Sequence, residues 1–333
     1  IMKKLFVIFI LSVLLGNIFA QDFHLSQFEA SPMHLNPAMT GAFEGDHRLS
    51  LHYRNQWRSL ATKPFVSSAL SYDAPIKKVK GLKLGGFILN NRAGQGNYNA
   101  MNMVISGSYD YSLKSRPHHH FLPGVQFGFI HKSVNIDKLS FGSQYTPQNG
   151  GGLNPDIPSD EIFTNQSLFL FDLNIGGLYY FSSDMSRLNP FIGGSIFHVT
   201  QPKESFYGSN NRLPRRFLAH GGAKYNLSQK IQISGYVLAM QQTNDRELNA
   251  SLFGYYYFKN SDTYIMYGNT WRSKDAILFH LGLKYREFVY RFTYDINTSA
   301  LSTITNGRGG LEMSIVYILK NFNPEPVQGC PRL

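Results

Sequence analysis

Cysteine is almost missing from this sequence, which limits how the fold can be held together. Cys330 is the single cysteine among 333 residues. A disulfide within the chain is therefore excluded, and strand pairing and side-chain packing have to stabilise the fold. Cys330 lies in a proline-bearing tail after the last predicted strand. Two roles stay open for it: pairing with the thiol of another chain, or remaining unpaired.

Charged residues are also scarce, and the composition favours strands. They make up 16% of the chain, whereas aromatic residues reach 14% and there are 30 glycines. Such a composition is typical of many strands joined by tight turns and disfavours a helical bundle. The formal net charge of +11 favours anionic lipid headgroups or acidic partners. Because the basic residues are scattered rather than clustered, nucleic acid is not an expected partner.

Long apolar runs are absent too. The apolar stretch 5–15 follows Lys3 and Lys4 and precedes Ala20. It is shorter than the ~20 residues that a spanning helix needs. A charged start, a short apolar core and a small residue are typical of a secretory signal. We therefore predict a signal peptide over residues 1–20 and an exported mature chain, with an uncleaved membrane anchor as the alternative.

Catalytic sequence patterns are missing as well. The sequence contains no G-x-S-x-G, no H-E-x-x-H and no G-x-x-x-x-G-K-[ST]. These patterns mark a nucleophile elbow, a zinc-protease helix and a phosphate-binding loop. Serine, histidine and aspartate residues occur, but their spacing pairs none of them. We predict that the protein is not an enzyme and binds no cofactor. A lipid-active enzyme ranks last among the hypotheses.

From His47 onward, apolar residues alternate with polar or small ones in segments of about ten residues, separated by turn formers. In 276–286, for example, Ile277 and Phe279 fall on the face opposite His280. A period of two residues is that of a β-strand. Fourteen such segments are present, at 47–56, 65–74, 82–91, 99–114, 121–134, 168–181, 189–201, 216–226, 229–238, 247–258, 263–271, 276–286, 288–295 and 310–320.

The connections between these segments differ systematically in length. If both termini are placed in the periplasm, the three longest connections, 135–167, 202–215 and 296–309, all fall on the outer side. Short periplasmic turns and long external loops are typical of outer-membrane barrels, which also have an even number of strands. Alternation alone would fit a soluble β-sandwich. The asymmetry of the connections favours the membrane barrel.

The predicted fold is an all-β, up-and-down, transmembrane antiparallel β-barrel of about 14 strands in the outer membrane. Within lipid, every backbone N–H and C=O must be paired inside the protein, so the strands have to close. The barrel is predicted over 47–320, after a periplasmic or lumenal segment over 21–46 and before a periplasmic tail over 321–333. Polar side chains are expected in the lumen, and apolar ones against outer-membrane lipid.

The first part of the predicted mature chain does not look like generic barrel sequence. It contains Ser26-Gln27-Phe28, Leu35-Asn36-Pro37-Ala38 with Gly41, and Tyr53-Arg54-Asn55-Gln56-Trp57. Further segments that agree are Ser71-Tyr72-Asp73, Trp271-Arg272, Tyr294-Asp295 and the ending Cys330-Pro331-Arg332. With these motifs, nearly the whole mature chain resembles the PorP/SprF family of outer-membrane proteins associated with type IX secretion and gliding in Bacteroidetes-type bacteria.

This resemblance implies a binding function rather than catalysis. The expected protein is a barrel that works with type IX secretion components and helps particular secreted proteins, such as gliding adhesins, to be exported or retained at the cell surface. The alternative is a porin-like or hydrophobic-solute channel, since fourteen strands can enclose a lumen that is either filled or wet.

The Asn36-Pro37-Ala38 segment is the first candidate site. Proline fixes φ and asparagine can bond its own backbone, so a fixed turn is expected before the first strand. The segment could plug the lumen, dock a periplasmic partner, or simply lead into the barrel. These three readings stay open.

The Tyr53 to Trp57 motif is the second candidate, at the predicted external rim. Arg54 shares a face with Gln56, whereas Tyr53, Asn55 and Trp57 share the other. Arg54 is predicted to face the lumen and to pair there with a carboxylate, because a charge in the wall is tolerated only when it is paired or wet. The candidate partners are Asp73, Asp295 and Glu312. Substrate contact by Arg54 is the alternative role.

Two clusters raise the question of a metal. Consecutive imidazoles at 118–120 can ligate zinc or nickel, but consecutive residues on a turn rarely converge on one ion. Asp156, Asp160 and Glu161 lack the regular spacing and the glycine of a calcium loop. We therefore expect a solvated periplasmic turn and a solvated external loop, and no metal.

Overall fold

The computed structural model describes residues 22–58, 63–113, 115–147, 151–154, 156–183, 185–258, 261, 263–300 and 302–320. The predicted signal peptide, the predicted C-terminal tail and Cys330 lie outside these residues. Among the described residues, no helix is long and apolar enough to cross a membrane.

Fourteen antiparallel strands form one wall in the described part of the chain. Their bounds are β1 His47–Gln56, β2 Phe65–Pro75, β3 Leu82–Ala93, β4 Tyr98–Tyr109, β5 Arg116–Ser133, β6 Ser167–Phe181, β7 Leu188–Phe197, β8 Arg216–Asn226, β9 Ile231–Gln242, β10 Asp245–Tyr257, β11 Tyr264–Arg272, β12 Ala276–Tyr285, β13 Phe288–Asn297 and β14 Arg308–Leu319. The short strand Tyr111–Leu113 also pairs with β5, and Tyr145–Thr146 pairs with Gly152–Leu153 in a separate ladder.

The wall closes on itself. Every strand pairs with its neighbours in chain order, and β1 pairs with β14 from His47↔Leu319 to Gln56↔Gly310. We call this β1–β14 pairing the seam. Because the sheet has no free edge, its backbone groups are paired within the wall. The predicted 14-stranded up-and-down antiparallel barrel is thereby confirmed.

The two faces of the wall divide as the alternation predicted. On β13, Phe288 and Tyr290 are exposed, whereas Arg291 and Asp295 are buried. The same holds on β12, where His280 is buried. The outer surface is therefore apolar and the inner surface largely polar, the reverse of a water-soluble fold.

The connections define two ends of the barrel. What we call the turn end carries 76–81, 110–115, 182–187, 227–230, 258–263 and 286–287. What we call the loop end carries 57–64, 94–97, 134–166, 198–215, 243–244, 273–275 and 298–307. The three longest connections lie together at the loop end, as the sequence predicted. The assignment of the two ends to periplasm and exterior stays a prediction.

One predicted connection is wrong. Residues 239–246 separate two of the predicted strands, 229–238 and 247–258, and lie on the predicted outer side, but β9 and β10 pair as far as Gln242↔Asp245. Only Thr243 and Asn244 remain between the strands, and Thr243 adopts a positive φ of 51°. A two-residue hairpin turn with positive φ suits twisted antiparallel strands.

The predicted turn at the three histidines is also wrong. β5 begins at Arg116, and His119 and His120 pair with Phe181 and Tyr180 on β6. His120 is buried, stacks on Tyr180 with ring centroids 4.4 Å apart, and lies 2.8 Å from Asp110 through its Nδ1. These contacts give the imidazole a place in the barrel wall, which is why a solvated turn does not form there.

Residues 22–46 are not part of the wall, and we call them the plug. The plug starts at the loop end, where Asp22 contacts His198 and Gln242, and runs through the lumen to the turn end, where β1 begins. It contains three short helical turns, Phe28–Ala30, Pro32–Leu35 and Pro37–Met39. The remaining short helices, Ile136–Lys138, Gly142–Gln144 and Ser302–Thr305, lie in loop-end connections.

Candidate functional site

The plug is the feature that distinguishes this lumen, and it is almost completely enclosed. Every residue from Leu25 to Phe43 is buried except His34. Pro32 and Pro37 stand at the first position of their helical turns, where a missing N–H costs nothing. Asn36 caps the third turn, Pro37–Met39, since its Oδ1 accepts from the Ala38 N–H at 2.9 Å. The expected fixed turn at Asn36-Pro37-Ala38 is therefore present, inside the barrel.

Arg54 anchors a charged cluster on the inner wall. The residue is 1% exposed and donates to Asp295 Oδ2 at 3.1 Å. Its Nε lies 3.6 Å from Glu312 Oε2. The predicted lumenal orientation and ion pair of Arg54 are therefore confirmed, with Asp295 and Glu312 as partners. The third candidate, Asp73, pairs with Arg48 at 2.5 Å instead.

This cluster holds the plug across the seam. Arg54 on β1 donates to the backbone oxygen of His24. Glu312 on β14 accepts from the N–H groups of Ser26 at 2.6 Å and Gln27 at 3.1 Å. The Ser26 hydroxyl donates to Asp295 at 2.8 Å. Since Arg54 and Glu312 are directly opposite in the seam register, the plug bridges the first and last strands.

The middle of the plug fits against glycines of the wall. Asn36 Nδ2 donates to the Gly177 backbone oxygen at 3.0 Å and lies 2.9 Å from His220 Nε2. A Cβ on Gly176 would overlap the Asn36 side chain, and one on Gly124 would overlap the Ala38 backbone. The wall therefore needs glycine at both positions for the Asn36-Pro37-Ala38 segment to lie where it does.

The turn-end part of the plug is fixed by one carboxylate. Asp73 accepts from the Gly41 N–H at 2.6 Å through the same oxygen that Arg48 approaches. Gly41 has a φ of 63°, in the left-handed region that glycine adopts without strain. The Thr40 hydroxyl lies 2.5 Å from that of Ser106 on β4. Nearer the start of the plug, Glu29 pairs with Arg291 on β13 at 3.0 Å.

The loop-end tip of the plug is fixed by an ion pair. Asp22 Oδ2 lies 2.7 Å from His198 Nε2, and Asp172 Oδ1 lies 3.0 Å from His198 Nδ1. Burial lowers the pKa of His198, but the attraction of Asp22 and Asp172 outweighs burial and raises that pKa to about 9. Burial raises the pKa of Asp22, but nearby His198 outweighs it and holds that pKa far below its usual range. Both groups are therefore charged at neutral pH.

The other residues predicted as site residues divide between the two faces. Tyr53 is 44% exposed on the outer surface, whereas Gln56 follows the lumenal parity of Arg54. Trp57 lies just past β1 with a φ of 55° and packs edge-on against Phe65, ring centroids 5.0 Å apart. Asn55 is partly buried. The motif is thus not one continuous surface, and a partner-binding role for its members stays a prediction.

The histidine and acidic clusters also receive definite positions. His118 and His119 contact the Ser182 backbone oxygen and the Tyr179 hydroxyl. Asp156, Asp160 and Glu161 are exposed in the 134–166 connection. Within the described ranges, no group of three histidine, cysteine, aspartate or glutamate side chains is placed to hold a metal ion.

Sequence reasoning missed several residues that hold the plug, notably Asp22, Glu29 and His198. Their partners lie hundreds of positions apart in some cases, as with Glu29 and Arg291. Strand alternation marks Arg48 and Arg291 as lumenal, but only the register between strands and the path of the plug show what they contact. The one signal in the sequence was that charged residues recur at inward positions of the strands, where they need partners.

A closed barrel with an apolar outer surface and a polar, filled lumen defines the class: an integral β-barrel protein of the outer membrane. The family described as type IX secretion system membrane protein PorP/SprF matches residues 17–317 of the chain. The chain therefore belongs to the PorP/SprF family. Its predicted location in the outer membrane is confirmed.

Two solved structures match most of this chain. The CymD monoaromatic hydrocarbon channel is 13% identical with a TM-score of 0.51, and the match covers 92% of this chain and 96% of that one. For the toluene transporter TbuX of Ralstonia pickettii, the identity is 10%, the TM-score 0.49 and the coverage 86% and 92%. The likeness to CymD shows the fold alone. No curated protein is similar enough to the chain to count as a match.

Proposed function

We propose that this protein is a non-enzymatic, plugged outer-membrane barrel that partners the type IX secretion machinery in the export or cell-surface retention of specific secreted proteins, such as gliding adhesins. Membership of the PorP/SprF family supports the secretion context. The role is binding, carried by the surfaces at the two ends of a rigid barrel rather than by passage through it.

The observation that carries the proposal is the fixed plug. Its contacts reach from the loop end to the turn end: Asp22 with His198, Ser26 with Glu312, Glu29 with Arg291 and Gly41 with Asp73. Removing one partner of a buried charged pair lowers the stability of the fold by about 3–5 kcal/mol. Displacing the whole plug would break several such pairs at once. We therefore infer that the lumen is not a wide, permanently open pore.

The buried titratable groups support a binding role for a second reason. The acids and histidines described above are bonded to the plug, to one another or to other side chains of the wall. His280, for example, lies between the Thr270 and Thr293 hydroxyls at 2.9 and 2.8 Å. A general base or nucleophile has to reach a substrate atom, and groups committed to structural bonds do not.

Deleting the gene and measuring surface adhesin tests the proposal. We expect adhesin display to fall and to return on complementation with the wild-type gene. A complementing copy with the exposed rim substitution Arg58→Gln serves as a matched control and should restore display fully. Undiminished adhesin in the cell envelope of the deletion strain would overturn the proposal.

The alternative of a porin-like or hydrophobic-solute channel is distinguished by conductance in planar bilayers. The plugged barrel is expected to be silent or to open only in brief, small events. A large and steady conductance from the purified wild-type protein would favour transport instead.

A further inference from the structure

A cavity of about 660 Å³ lies at the loop end, between the plug and the 198–215 connection. Small-molecule sites typically measure about 300–1,000 Å³ and combine an apolar lining with a few polar groups. This cavity has both. Its apolar lining comes from the plug and from inward positions of β2 to β5, together with the end of β7: Phe23, Phe65, Phe87, Leu89, Val104, Ile130 and Phe197.

Inward apolar residues occur elsewhere in the lumen too, but there the plug covers them. Leu35 and Met39 of the plug, for example, share one buried cluster with Leu178, Leu218 and Leu238 of the wall. The sector on β2 to β5 differs because the plug does not fill it completely. The plug covers part of the sector, since Met33 packs with Phe87, Leu89 and Val104. The rest borders the cavity.

Arg216, the first residue of β8, also lines the cavity, and no acceptor contacts its guanidinium. It is 6% exposed, yet its guanidinium makes no hydrogen bond or ion pair with another described residue, and its Nε is buried without an acceptor. Its one specific contact is with the ring of Phe197, 4.7 Å from the guanidinium carbon to the ring centroid. By contrast, the lumenal Arg54, Arg272 and Arg291 are each paired with a carboxylate.

The other charged groups around the cavity compensate one another. His198 lies between Asp22 and Asp172, and Lys132 pairs with Glu204 at 2.6 Å. Arg212 lies on the exposed rim. With His198 protonated, the lining holds four cations, namely Lys132, His198, Arg212 and Arg216, and three carboxylates, namely Asp22, Asp172 and Glu204. Without the exposed Arg212 the lining is balanced in charge, but its three carboxylates are in direct contact with Lys132 and His198. Asp22, Asp172 and Glu247 attract Arg216 without contacting it. The buried Arg216 guanidinium is therefore left without an acceptor in contact, which is costly, so the site favours a ligand that supplies an anionic acceptor.

We propose that this cavity binds a small amphipathic carboxylate. The carboxylate pairs with the Arg216 guanidinium, and the apolar body of the ligand lies against the part of the sector that Met33 does not cover, which includes Phe65 and Ile130. A carboxylate matches the planar donor fork of arginine and accepts two parallel hydrogen bonds. A free aromatic or aliphatic acid and the C-terminal residue of a polypeptide share this chemistry. The inference stands apart from the role in secretion and does not depend on it.

Calorimetric titration of the full barrel in non-ionic detergent tests the proposal, with 4-phenylbutyrate and the neutral 4-phenylbutyramide as probes. We expect the acid to bind about 10- to 100-fold more tightly than the amide, the value of one or two charge-assisted hydrogen bonds. Arg216→Gln should abolish this preference. The neighbouring exposed Arg215→Gln should keep it within about twofold. Equal binding of acid and amide by the wild type, or no binding of either, would overturn the proposal.

Two further measurements guard against misfolding. Heat-modifiable gel migration shows whether the Arg216→Gln barrel is closed, and amide binding that equals the wild type shows that its apolar sector is intact. Arg216→Lys should recover part of the preference for the acid, because it restores the charge without the planar fork. A loss of preference that Arg215→Gln shares would contradict the assignment to Arg216. An acetylated dipeptide ending in phenylalanine, as free acid and as amide, tells whether a polypeptide terminus is also accepted.

Discussion

Charged side chains hold the plug in place, and Arg54 contacts both the plug and two carboxylates near the seam. Replacing it by glutamine leaves Asp295 and Glu312 buried with less positive charge beside them. We expect Arg54→Gln to lower the free energy of unfolding by ~3–5 kcal/mol. The exposed Arg58→Gln should change it by less than about 0.5 kcal/mol. Urea titration followed by heat-modifiable migration measures both. Equal stability of the two variants would show that the cluster is not structural.

A pair of adjacent glycines gives a second test at this scale. A Cβ on Gly176 meets the Asn36 side chain, whereas one on Gly177 has no atom within 4 Å. Gly176→Ala is expected to cost ~1–3 kcal/mol through overpacking and to loosen the plug. Gly177→Ala should be close to neutral. The midpoint of the heat-induced migration shift and the bilayer conductance would both separate the two variants. If they behave alike, the plug does not lie against this wall.

The ion pair at the tip of the plug predicts a pH dependence. The pKa of His198 is raised from 6.5 to about 9 in the folded state. The pair with Asp22 therefore contributes stability that is complete below about pH 6.5 and is lost as the pH rises through about 9. The difference in unfolding free energy between wild type and His198→Asn should shrink over this window. Using the difference cancels other titrating groups. A difference that stays constant from pH 6 to 10 would contradict the assignment.

At the scale of elements, the question is whether the plug has to move during function. The Thr40 and Ser106 hydroxyl oxygens lie 2.5 Å apart, close enough for cysteines at these positions to form a disulfide. In a Cys330→Ser background, Thr40→Cys with Ser106→Cys would join the plug to β4. Because we propose a permanently plugged barrel, the oxidised variant should display adhesin as well as its reduced form. Display that needs a reductant would show that release of the plug is part of the mechanism.

Strands were easier to predict from the sequence than contacts inside the lumen. Alternation located all fourteen wall strands, because a wall between lipid and a polar lumen imposes a strict period of two. The errors at His118 to His120 and at 239–246 arose where polar residues occupy strand positions. Nothing in the sequence could show that His120 stacks on Tyr180. Of the site, the fixed turn at Asn36-Pro37-Ala38 and the partners of Arg54 were predictable. The ion pair between Asp22 and His198 depends on where the loop-end tip of the plug lies in the lumen. The alternation pattern contains no information on that position.

For the whole molecule, the lipid-facing surface determines how much a charged side chain on the outer face destabilises the barrel. Leu281, 56% exposed on the outer face, lies near the middle of β12, whereas Ile277 lies near its loop-end terminus. Leu281→Arg should destabilise the barrel in lipid vesicles by ~2–4 kcal/mol, and Ile277→Arg by ~0–1 kcal/mol, because the cost of a charge falls towards the interface. Reversible urea titration in vesicles measures both values. If the two substitutions destabilised the barrel equally, the bilayer midplane would not lie near Leu281 as we expect.

The bridge between plug and seam also determines the order of assembly. The Ser26 N–H donates to Glu312 and the Gln27 side-chain oxygen accepts from the Ser314 hydroxyl, and both partners follow by more than 280 positions. The plug precedes all fourteen wall strands in the chain, yet these contacts require the last of them. They can therefore form only when β14 is in place beside β1. Closure of the seam and fixation of the plug are thus coupled.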